Sequence, residues 1–367
     1  MLAKSAPIKA GLRALRFPLD ALLVLSTFKD FQASLIVGNA VLNRWGLHVW
    51  RKRASHCVAA MYRRGSTWRL PAAQLAEFDA NGCVRLGSFL STNEFQALRA
   101  EICHGEWPLI EMLQPPAVTH RANLDAATCD RQFPALARLL RNPQLKNWVR
   151  YAAGCPGQPL VAIQRITSGP SDTDGSADPQ TEWHMDTFHC VGKAWLYLHA
   201  VGPQDGPLAY VAGSHRPTPA SLAWEKRQSI SAAVHPNPMH ARGSLRVTEA
   251  ELDTLGFGAP QVLAVEANTL VIADTGGIHR RMPSALPTVR IEIYLSLRRN
   301  PFLAWAYPSL LGLPVVRTHW AGWAYAMYQW LVKIGRPGWI PRPRQLLGLD
   351  ERAKLGPCKD LSSDLSP

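Results

Sequence analysis

The sequence predicts a mainly β domain with flanking helices, in which short strands form a sandwich or a barrel. The first observation lies in residues 180–300, where short β-branched and aromatic segments are separated by Gly and Pro turns. The second is Val289–Leu297, whose residues alternate in character with the period of a strand. The third is the helical spacing of apolar residues within 8–66, which predicts helices ahead of these strands.

The elements before residue 180 follow in chain order. The first helical region is predicted from six apolar residues: Leu19, Leu22, Leu23, Phe28, Phe31 and Leu35. Residues 82–90 predict a short strand and a turn. Ser91 and Glu94 then form a capping box, and the helix after them carries Phe95, Leu98 and Ile102 on one face. Residues 158–166 predict a strand, followed by a polar loop over 168–179.

The elements after residue 180 are mostly strands. The segments predicted as strands are Ala194–His199, Val262–Val265, Asn268–Asp274 and Val289–Leu297. Residues 219–255 interrupt them as a partly helical insertion. The last region, 301–341, is rich in Pro and in aromatic residues, which are Trp305, Tyr307, Trp320, Trp323, Tyr325, Tyr328, Trp330 and Trp339.

Charge divides the chain into three parts. The net charge of +13 is made up of about +10 in residues 1–69, about −1 in 70–316 and about +4 in 317–367. We therefore predict a basic helical extension (1–69), a catalytic domain (70–300) and an aromatic, basic extension (301–367). A nucleic-acid enzyme is expected to line its own cleft with basic residues, so the neutral middle argues against a nucleic-acid partner.

The basic ends leave two alternatives open. Basic, apolar and Trp residues together suit contact with an anionic membrane surface, and the same features suit an oligomer interface. Seven scattered cysteines without a CxxC pair argue against a disulfide framework or a zinc site. No apolar stretch reaches the ~20 residues that a spanning helix needs. A cytoplasmic protein, peripheral at the membrane in the first alternative, is the simplest expectation.

The central motif is Trp183-His184-Met185-Asp186-Thr187. Residues i and i+2 of a strand face the same side, so His184 and Asp186 can offer a nitrogen and an oxygen to one metal ion. A second histidine, His279, follows the predicted strand that ends at Asp274. Two histidines and one carboxylate leave three coordination positions open, which is the arrangement used for iron(II) oxygen chemistry.

Arg290 comes eleven residues after His279 and opens the next predicted strand. We expect that strand to run back beside the one that carries His279, so that the guanidinium points at the metal. Arginine binds carboxylates in a bidentate, charge-assisted way. His189 is expected to face away from the metal and His215 to be structural. For Arg280 and Arg281, substrate contact and simple solvation remain equally open.

At this point the sequence resembles the phytanoyl-CoA dioxygenase family of iron(II)/2-oxoglutarate oxygenases over about residues 75–300. Besides the metal motif, the resemblance rests on four segments: 81–94, Lys193-Ala194-Trp195, the 206–216 stretch Gly-Pro-Leu…Ala-Gly-Ser-His-Arg, and the spacing from His279 to Arg290. Ala212 stands where the family usually has Pro. The resemblance implies a double-stranded β-helix, the jelly-roll or cupin-like core.

The resemblance implies iron bound by His184, Asp186 and His279, and 2-oxoglutarate held by Arg290 with Trp195 nearby. Gln164 and Thr187 are expected pocket residues. The implied reaction couples O2 and decarboxylation of 2-oxoglutarate to succinate with hydroxylation of an unactivated C–H bond. Related halogenases lack the carboxylate ligand, so the presence of Asp186 favours hydroxylation.

Two other functions are alternatives to this one. Nucleic-acid oxidative demethylases usually carry a second arginine six residues after the first, where this chain has Ser296. A non-catalytic jelly-roll binding protein would have no need of the complete set of ligands together with Arg290. The substrate is expected to be a small molecule or a lipid-linked compound. The fold does not show which one, because one fold serves many substrates.

Overall fold

The computed structural model describes residues 20–107, 109–169, 178–303, 313–333, 345–346 and 353–354. Its helices are α1 Ala40–Arg44, α2 Leu47–Arg64, α3 Ala72–Asn81, α4 Thr92–His104, α5 Ala126–Gln132, α6 Pro134–Arg141, α7 Pro143–Ala153, α8 Pro219–Ser231, α9 Pro238–Ala241, α10 Glu249–Leu255 and α11 Pro314–Lys333. Short 3-10 turns cover Thr67–Arg69 and Ala232–Val234.

The strands of the described residues alternate with these helices. They are β1 Cys83–Leu86, β2 Glu106–Trp107, β3 Ile110–Gln114, β4 Ala117–Leu124, β5 Leu160–Ser168, β6 Gly192–Tyr197, β7 Leu208–Val211, β8 Pro260–Leu263, β9 Leu270–Asp274, β10 His279–Arg281, β11 Thr288–Leu297, β12 Gln345–Leu346 and β13 Ala353–Lys354.

Two antiparallel sheets form the jelly-roll core. The large sheet has the order β1-β9-β6-β11-β5-β4-β3-β12, and the small sheet has the order β10-β7-β8. Single bridges extend the small sheet from His279 to His184, and from His184 to Arg246. Tyr197 and Val271 of the large sheet share a buried cluster with Tyr210 and Leu263 of the small one. The prediction of a mainly β, double-stranded β-helix core is confirmed.

Helices cover the outer face of the large sheet. Alternate residues of β11, Ile291, Ile293 and Leu295, are fully buried there in the main hydrophobic cluster. Trp148 of α7 and Leu98 of α4 lie in the same cluster. The other residues of β11 face the opposite side, towards the small sheet, because successive side chains of a strand alternate. This alternation sets one row of polar side chains inside the molecule.

Most predicted elements are present close to their predicted positions. The capping box of Ser91 and Glu94 is formed, and Phe95, Leu98 and Ile102 are buried. The prediction of helical structure within 8–66 is wrong for residues 25–39, which consist of turns and bends. In these turns the side chains of Asp30 and Ser34 accept backbone N–H groups. Short polar side chains that bond to nearby backbone compete with helix in this way.

The segment 20–69 packs closely on the β core. Glu225 of α8 pairs with Lys52 and lies 2.9 Å from His48, and all three side chains are buried. Arg51 donates to the carbonyl oxygens of Val24, Ser26 and Phe28. The predicted boundary at residue 69 rests on the distribution of charge. In the structure, side chains before this residue contact residues of the β core and of α8.

Several predictions made from the sequence fall on other parts of the chain. Residues 1–19, 170–177, Trp305, Tyr307 and Trp339 lie outside the described residues. In the described ranges, no helix combines the length and apolar character needed to cross a membrane. Among the described residues, five cysteines are free: Cys57, Cys83, Cys129, Cys155 and Cys190. Cys103 is disulfide-bonded, which the scattered spacing of the cysteines did not indicate.

Candidate metal centre

His184, Asp186 and His279 meet at one end of a cavity between the two sheets. His184 and His279 exchange both hydrogen bonds of an antiparallel bridge, with N–O distances of 3.0 and 2.9 Å. Directly opposite residues of such a bridge project to the same face, and the two ring centroids are 4.4 Å apart. One ligand atom from each of the three residues lies within 4.8 Å of the others.

Backbone carbonyls orient both imidazole rings. Nδ1 of His184 lies 2.7 Å from the carbonyl oxygen of Glu182, and Nδ1 of His279 lies 3.0 Å from that of Gly277. A carbonyl only accepts, so each Nδ1 carries the proton and each Nε2 keeps a lone pair for a metal ion. Burial lowers the pKa of both histidines, which keeps the rings neutral.

The Asp186 carboxylate presents one oxygen to the histidines and uses the other for support. Its Oδ2 accepts from the Thr275 hydroxyl and pairs with Lys193 Nζ, each at 2.5 Å. Its Oδ1 lies 3.9 Å from His279 Nε2. Burial alone would raise the pKa of Asp186, but Lys193 and the two histidines bring it well below its usual range. The group is therefore a carboxylate with Oδ1 free to bind a cation.

A buried aspartate fixes the turn that supplies these contacts. Asp274 Oδ1 accepts from the backbone N–H groups of Val191 and Gly276 at 2.9 and 3.0 Å. Its Oδ2 accepts from Arg63 at 2.9 Å. The turn that follows contains Thr275, which supports Asp186. Arg63 of helix α2 thus supports the metal centre indirectly, through Asp274 and the turn that contains Thr275.

A second residue of the N-terminal segment, Lys29, contacts the backbone of Asp186. Lys29 Nζ donates to the carbonyl oxygen of Asp186 at 2.5 Å. Burial is the largest cause that lowers the pKa of Lys29, to about 8, and the Asp186 carboxylate opposes it. The carbonyl of Lys29 also leaves no space for a side chain at Gly243, where φ is +82° and a Cβ would lie 2.1 Å from that oxygen.

The cavity beside the three residues has a volume of about 290 Å³. Strand β11 contributes Arg290, Glu292 and Tyr294, which share its inner face. The remaining wall residues come from the neighbouring strands and loops, and they are Met112, Gln114, Thr119, Arg121, Gln164, Ile166, Gln180, Lys193, Trp195, Tyr197, Leu208 and Arg281. The wall is mainly polar and carries four cationic side chains.

Arg290 is held in place on this wall by two contacts. Its Nη1 donates to the carbonyl oxygen of Gly206 at 2.8 Å, and its Nε lies 3.0 Å from Glu292 Oε2. Gly206 has φ of +67°, and a Cβ there would lie 2.6 Å from the Ser284 hydroxyl. Only glycine therefore brings this carbonyl to Arg290 without strain.

The predicted route by which Arg290 reaches the metal is wrong in one respect. Strand β11 pairs with β5 and β6, whereas His279 belongs to β10, which pairs with β7 of the small sheet. Arg290 and His279 thus meet across the cavity from different sheets. The expectation assumed that strands consecutive in sequence are neighbours, and a jelly roll assigns them to opposite sheets.

Gln164 and Glu292 form a buried hydrogen-bonded pair on the same wall. Gln164 Nε2 donates to Glu292 Oε1 at 2.8 Å, and Gln164 Oε1 accepts from Arg121. The Arg121 guanidinium lies 5.0 Å above the ring of Tyr294. Gln164 and Trp195 both line the cavity.

Thr187 is not on the cavity wall. Its side chain is buried, and its hydroxyl has no hydrogen-bond partner within the described chain. His189 and His215 are also buried and do not belong to the group that can hold a metal. Arg281 lines the cavity and pairs with Asp178 at 3.1 Å, while Arg280 pairs with Glu249 at 2.8 Å.

Sequence reasoning missed several residues of the site. Glu292 and Tyr294 lie two and four positions after Arg290, so the strand period already placed them on its face. Lys193 had a weaker signal, since it precedes Trp195 by two positions. Lys29 and Arg63 had none, because contacts over 157 and 211 residues leave no local pattern.

Comparison with known families assigns this domain. Residues 78–244 match the family model described as phytanoyl-CoA dioxygenase (PhyH). This part of the chain is similar to the phytanoyl-CoA dioxygenase family. The matched segment includes His184 and Asp186 and ends before His279 and Arg290. No curated protein matches the chain by sequence.

Solved structures similar to this chain include HygX from Streptomyces hygroscopicus, with nickel and 2-oxoglutarate bound. HygX is 21% identical over 62% of this chain and 86% of its own, with a TM-score of 0.40. The epimerase SnoN, in complex with Fe3+, alpha ketoglutarate and nogalamycin RO, is 15% identical over 61% and 81%, with a TM-score of 0.40. The carbocyclase SnoK from nogalamycin biosynthesis is 17% identical over 62% and 83%, with a TM-score of 0.38.

Proposed function

We propose that this protein is an iron(II)- and 2-oxoglutarate-dependent dioxygenase that hydroxylates an unactivated C–H bond of a small-molecule or lipid-linked substrate. The observation that carries the proposal is the metal centre at the end of the polar cavity. Nε2 of His184, Nε2 of His279 and Oδ1 of Asp186 converge there, and Arg290 stands on the facing wall. The match of residues 78–244 to the phytanoyl-CoA dioxygenase family model supports the same assignment.

The donor set fits iron(II). Two neutral imidazoles and one carboxylate suit a divalent iron ion with open positions for co-substrate and oxygen. Bound iron with 2-oxoglutarate supplies the oxidising chemistry, in which O2 is consumed as the co-substrate is decarboxylated to succinate. The Nδ1 hydrogen bonds of His184 and His279 fix the ring orientations before metal arrives, which lowers the cost of binding.

The cavity wall assigns the remaining roles. Arg290 is placed to receive the distal carboxylate of 2-oxoglutarate, with Glu292 and the Gly206 carbonyl holding its guanidinium in one orientation. Trp195 and Gln164 border the same space. Asp186 fills the coordination position that a halide would need, and this supports hydroxylation rather than halogenation. Product analysis distinguishes hydroxylation from epimerisation and ring closure.

Anaerobic titration with iron(II) and 2-oxoglutarate tests the cofactor assignment. The chelate is expected to give a weak visible charge-transfer band. Arg290→Ala should raise the 2-oxoglutarate Kd by roughly 10- to 100-fold through loss of a charge-assisted contact. Arg85→Ala, at an exposed position on β1, serves as the control. Absence of the band with fresh iron would refute the proposal.

Metabolite comparison then tests the reaction. Extracts from cells with the wild-type protein and with His184→Ala are compared, and the substrate should accumulate in the variant. A product that is 16 mass units heavier than its substrate supports hydroxylation. A product of unchanged mass, or one lighter by two hydrogens, would support epimerisation or ring closure instead.

We also propose that the basic N-terminal segment contacts an anionic membrane. Leu22 and Trp45 are 72% and 79% exposed, and Trp50 stacks on Phe302 at the same surface. Arg44 and Arg53 are exposed beside them. An apolar and aromatic surface with flanking basic residues suits the headgroup region of anionic lipids.

Co-sedimentation with phosphatidylserine vesicles at low salt tests the membrane contact. The wild-type protein should pellet with the vesicles, and the double variant Leu22→Ser/Trp45→Ser should remain in the supernatant. Trp68→Ser is the matched control, because Trp68 is equally exposed beyond the opposite end of α2. If the double variant changes the mass in solution and leaves sedimentation unchanged, the surface is an oligomer interface.

A further inference from the structure

Arg246 flanks the metal centre on the side opposite to His279. His184 forms single antiparallel bridges with both residues, so the three positions lie side by side in the order His279, His184, Arg246. Directly opposite residues of a bridge project to the same face. The Arg246 side chain therefore leaves the backbone on the face that carries the two imidazoles.

The guanidinium of Arg246 is buried without adequate partners. Its side chain is only 9% exposed, and Nε, Nη1 and Nη2 form no hydrogen bond within the described chain. Glu182 Oε2 lies 3.2 Å from Nε, but Glu182 is 45% exposed and its Oε2 also accepts from Asn237. A buried charged donor without acceptors is costly, so the two remaining nitrogens, Nη1 and Nη2, indicate an anionic ligand.

The carboxylates that act on Arg246 are those of Glu182, Asp186 and Asp178. Asp178 is paired with Arg281 at 3.1 Å. The Asp186 carboxylate is already engaged by Lys193 and Thr275. Apart from the ion pair between Glu182 and Nε of Arg246, these carboxylates are therefore engaged by other side chains.

We propose that Arg246 binds an oxyanion of the substrate, a phosphate or carboxylate group, and thereby holds the adjacent carbon chain at the metal centre. A planar guanidinium with free donors binds either group in a bidentate way. This inference rests on the proposed oxygenase function and adds the substrate class to it. The co-substrate has a separate anchor, because Arg290 lies on β11 of the large sheet and lines the cavity, whereas Arg246 extends the small sheet.

Paramagnetic relaxation on manganese-loaded protein tests this assignment. Protein with Mn(II) and 2-oxoglutarate is titrated with methylphosphonate or with propionate, and relaxation of the probe nuclei reports binding beside the metal. We expect one probe to bind to the wild-type protein. Arg246→Gln should weaken that binding roughly tenfold or more through loss of a bidentate charged contact. Arg242→Gln, an exposed arginine four residues earlier in the same segment, should leave it unchanged.

Two further measurements separate this inference from the oxygenase proposal. Calorimetric titration of metal-free protein with the same probes reports the anion site even if no metal binds. The 2-oxoglutarate Kd should be the same in Arg246→Gln and wild type, and a parallel loss would make Arg246 part of the co-substrate site and overturn the inference. Arg246→Lys keeps the charge and replaces Arg246→Gln if that variant does not fold. Equal probe binding in wild type and variant, or none in either, would also overturn it.

Discussion

The two sides of the cavity are built in different ways. Arg290, Glu292 and Tyr294 stand on a ten-residue strand that is hydrogen-bonded to neighbours on both sides. The metal side has almost no regular structure: His184 sits in an isolated bridge, and His279 opens a strand of three residues. A strand ladder fixes the first side, and side-chain contacts from distant segments fix the second. The metal side should therefore be the more sensitive to substitutions outside the cavity.

The largest expected effect is at the metal side itself. Asp186→Ala removes the only carboxylate of the ligand group and leaves Lys193 without its ion-pair partner. We expect turnover to fall roughly a thousandfold, which corresponds to about 4 kcal/mol. Isothermal titration with Mn(II) should show the loss of metal binding directly. Glu292→Gln on the facing wall is the comparison, and it should retain metal binding.

The second effect separates local support from overall folding. Arg63→Met leaves Asp274 as a buried carboxylate without its cation, and the free energy of unfolding should fall by roughly 3–5 kcal/mol. The turn that carries Thr275 loses its anchor, so metal affinity of the folded fraction should fall as well. Arg64→Met, the exposed neighbour, should change neither quantity in urea unfolding or metal titration. Unchanged metal affinity in folded Arg63→Met would show that the turn supports itself.

The smallest effect depends on pH and tests how the N-terminal segment is attached. Burial opposes ionisation of Glu225, but Lys52 and His48 bring its pKa from 4.5 to about 2. The pKa of Glu225 is lower in the folded than in the unfolded protein. Its ionised side chain therefore contributes fully to the free energy of unfolding above about pH 4.5, and this contribution is lost as pH falls towards 2. It is on the order of 3 kcal/mol. Unfolding of Glu225→Gln should show a shallower acid dependence, and Asp253→Asn should match wild type.

The same comparison explains what the sequence could predict. The alternation in Val289–Leu297 predicted the strand, and it also placed Arg290 facing the cavity, because a period of two is a local property. The motif around His184 predicted two ligands for the same reason. Which strands become neighbours depends on the path of the whole chain, and the position of β11 beside β6 was therefore missed. Lys29, Arg63 and Arg246 reach the metal side through tertiary packing, which no local pattern records.

The contacts of Lys29 and Arg63 also concern the order in which the protein is made. Both residues leave the ribosome early, whereas their partners Asp186 and Asp274 follow 157 and 211 residues later. Contacts over such separations carry a loop-closure cost that delays their formation. The metal side can therefore reach its final geometry only after Asp274 and the turn that follows it have been synthesised.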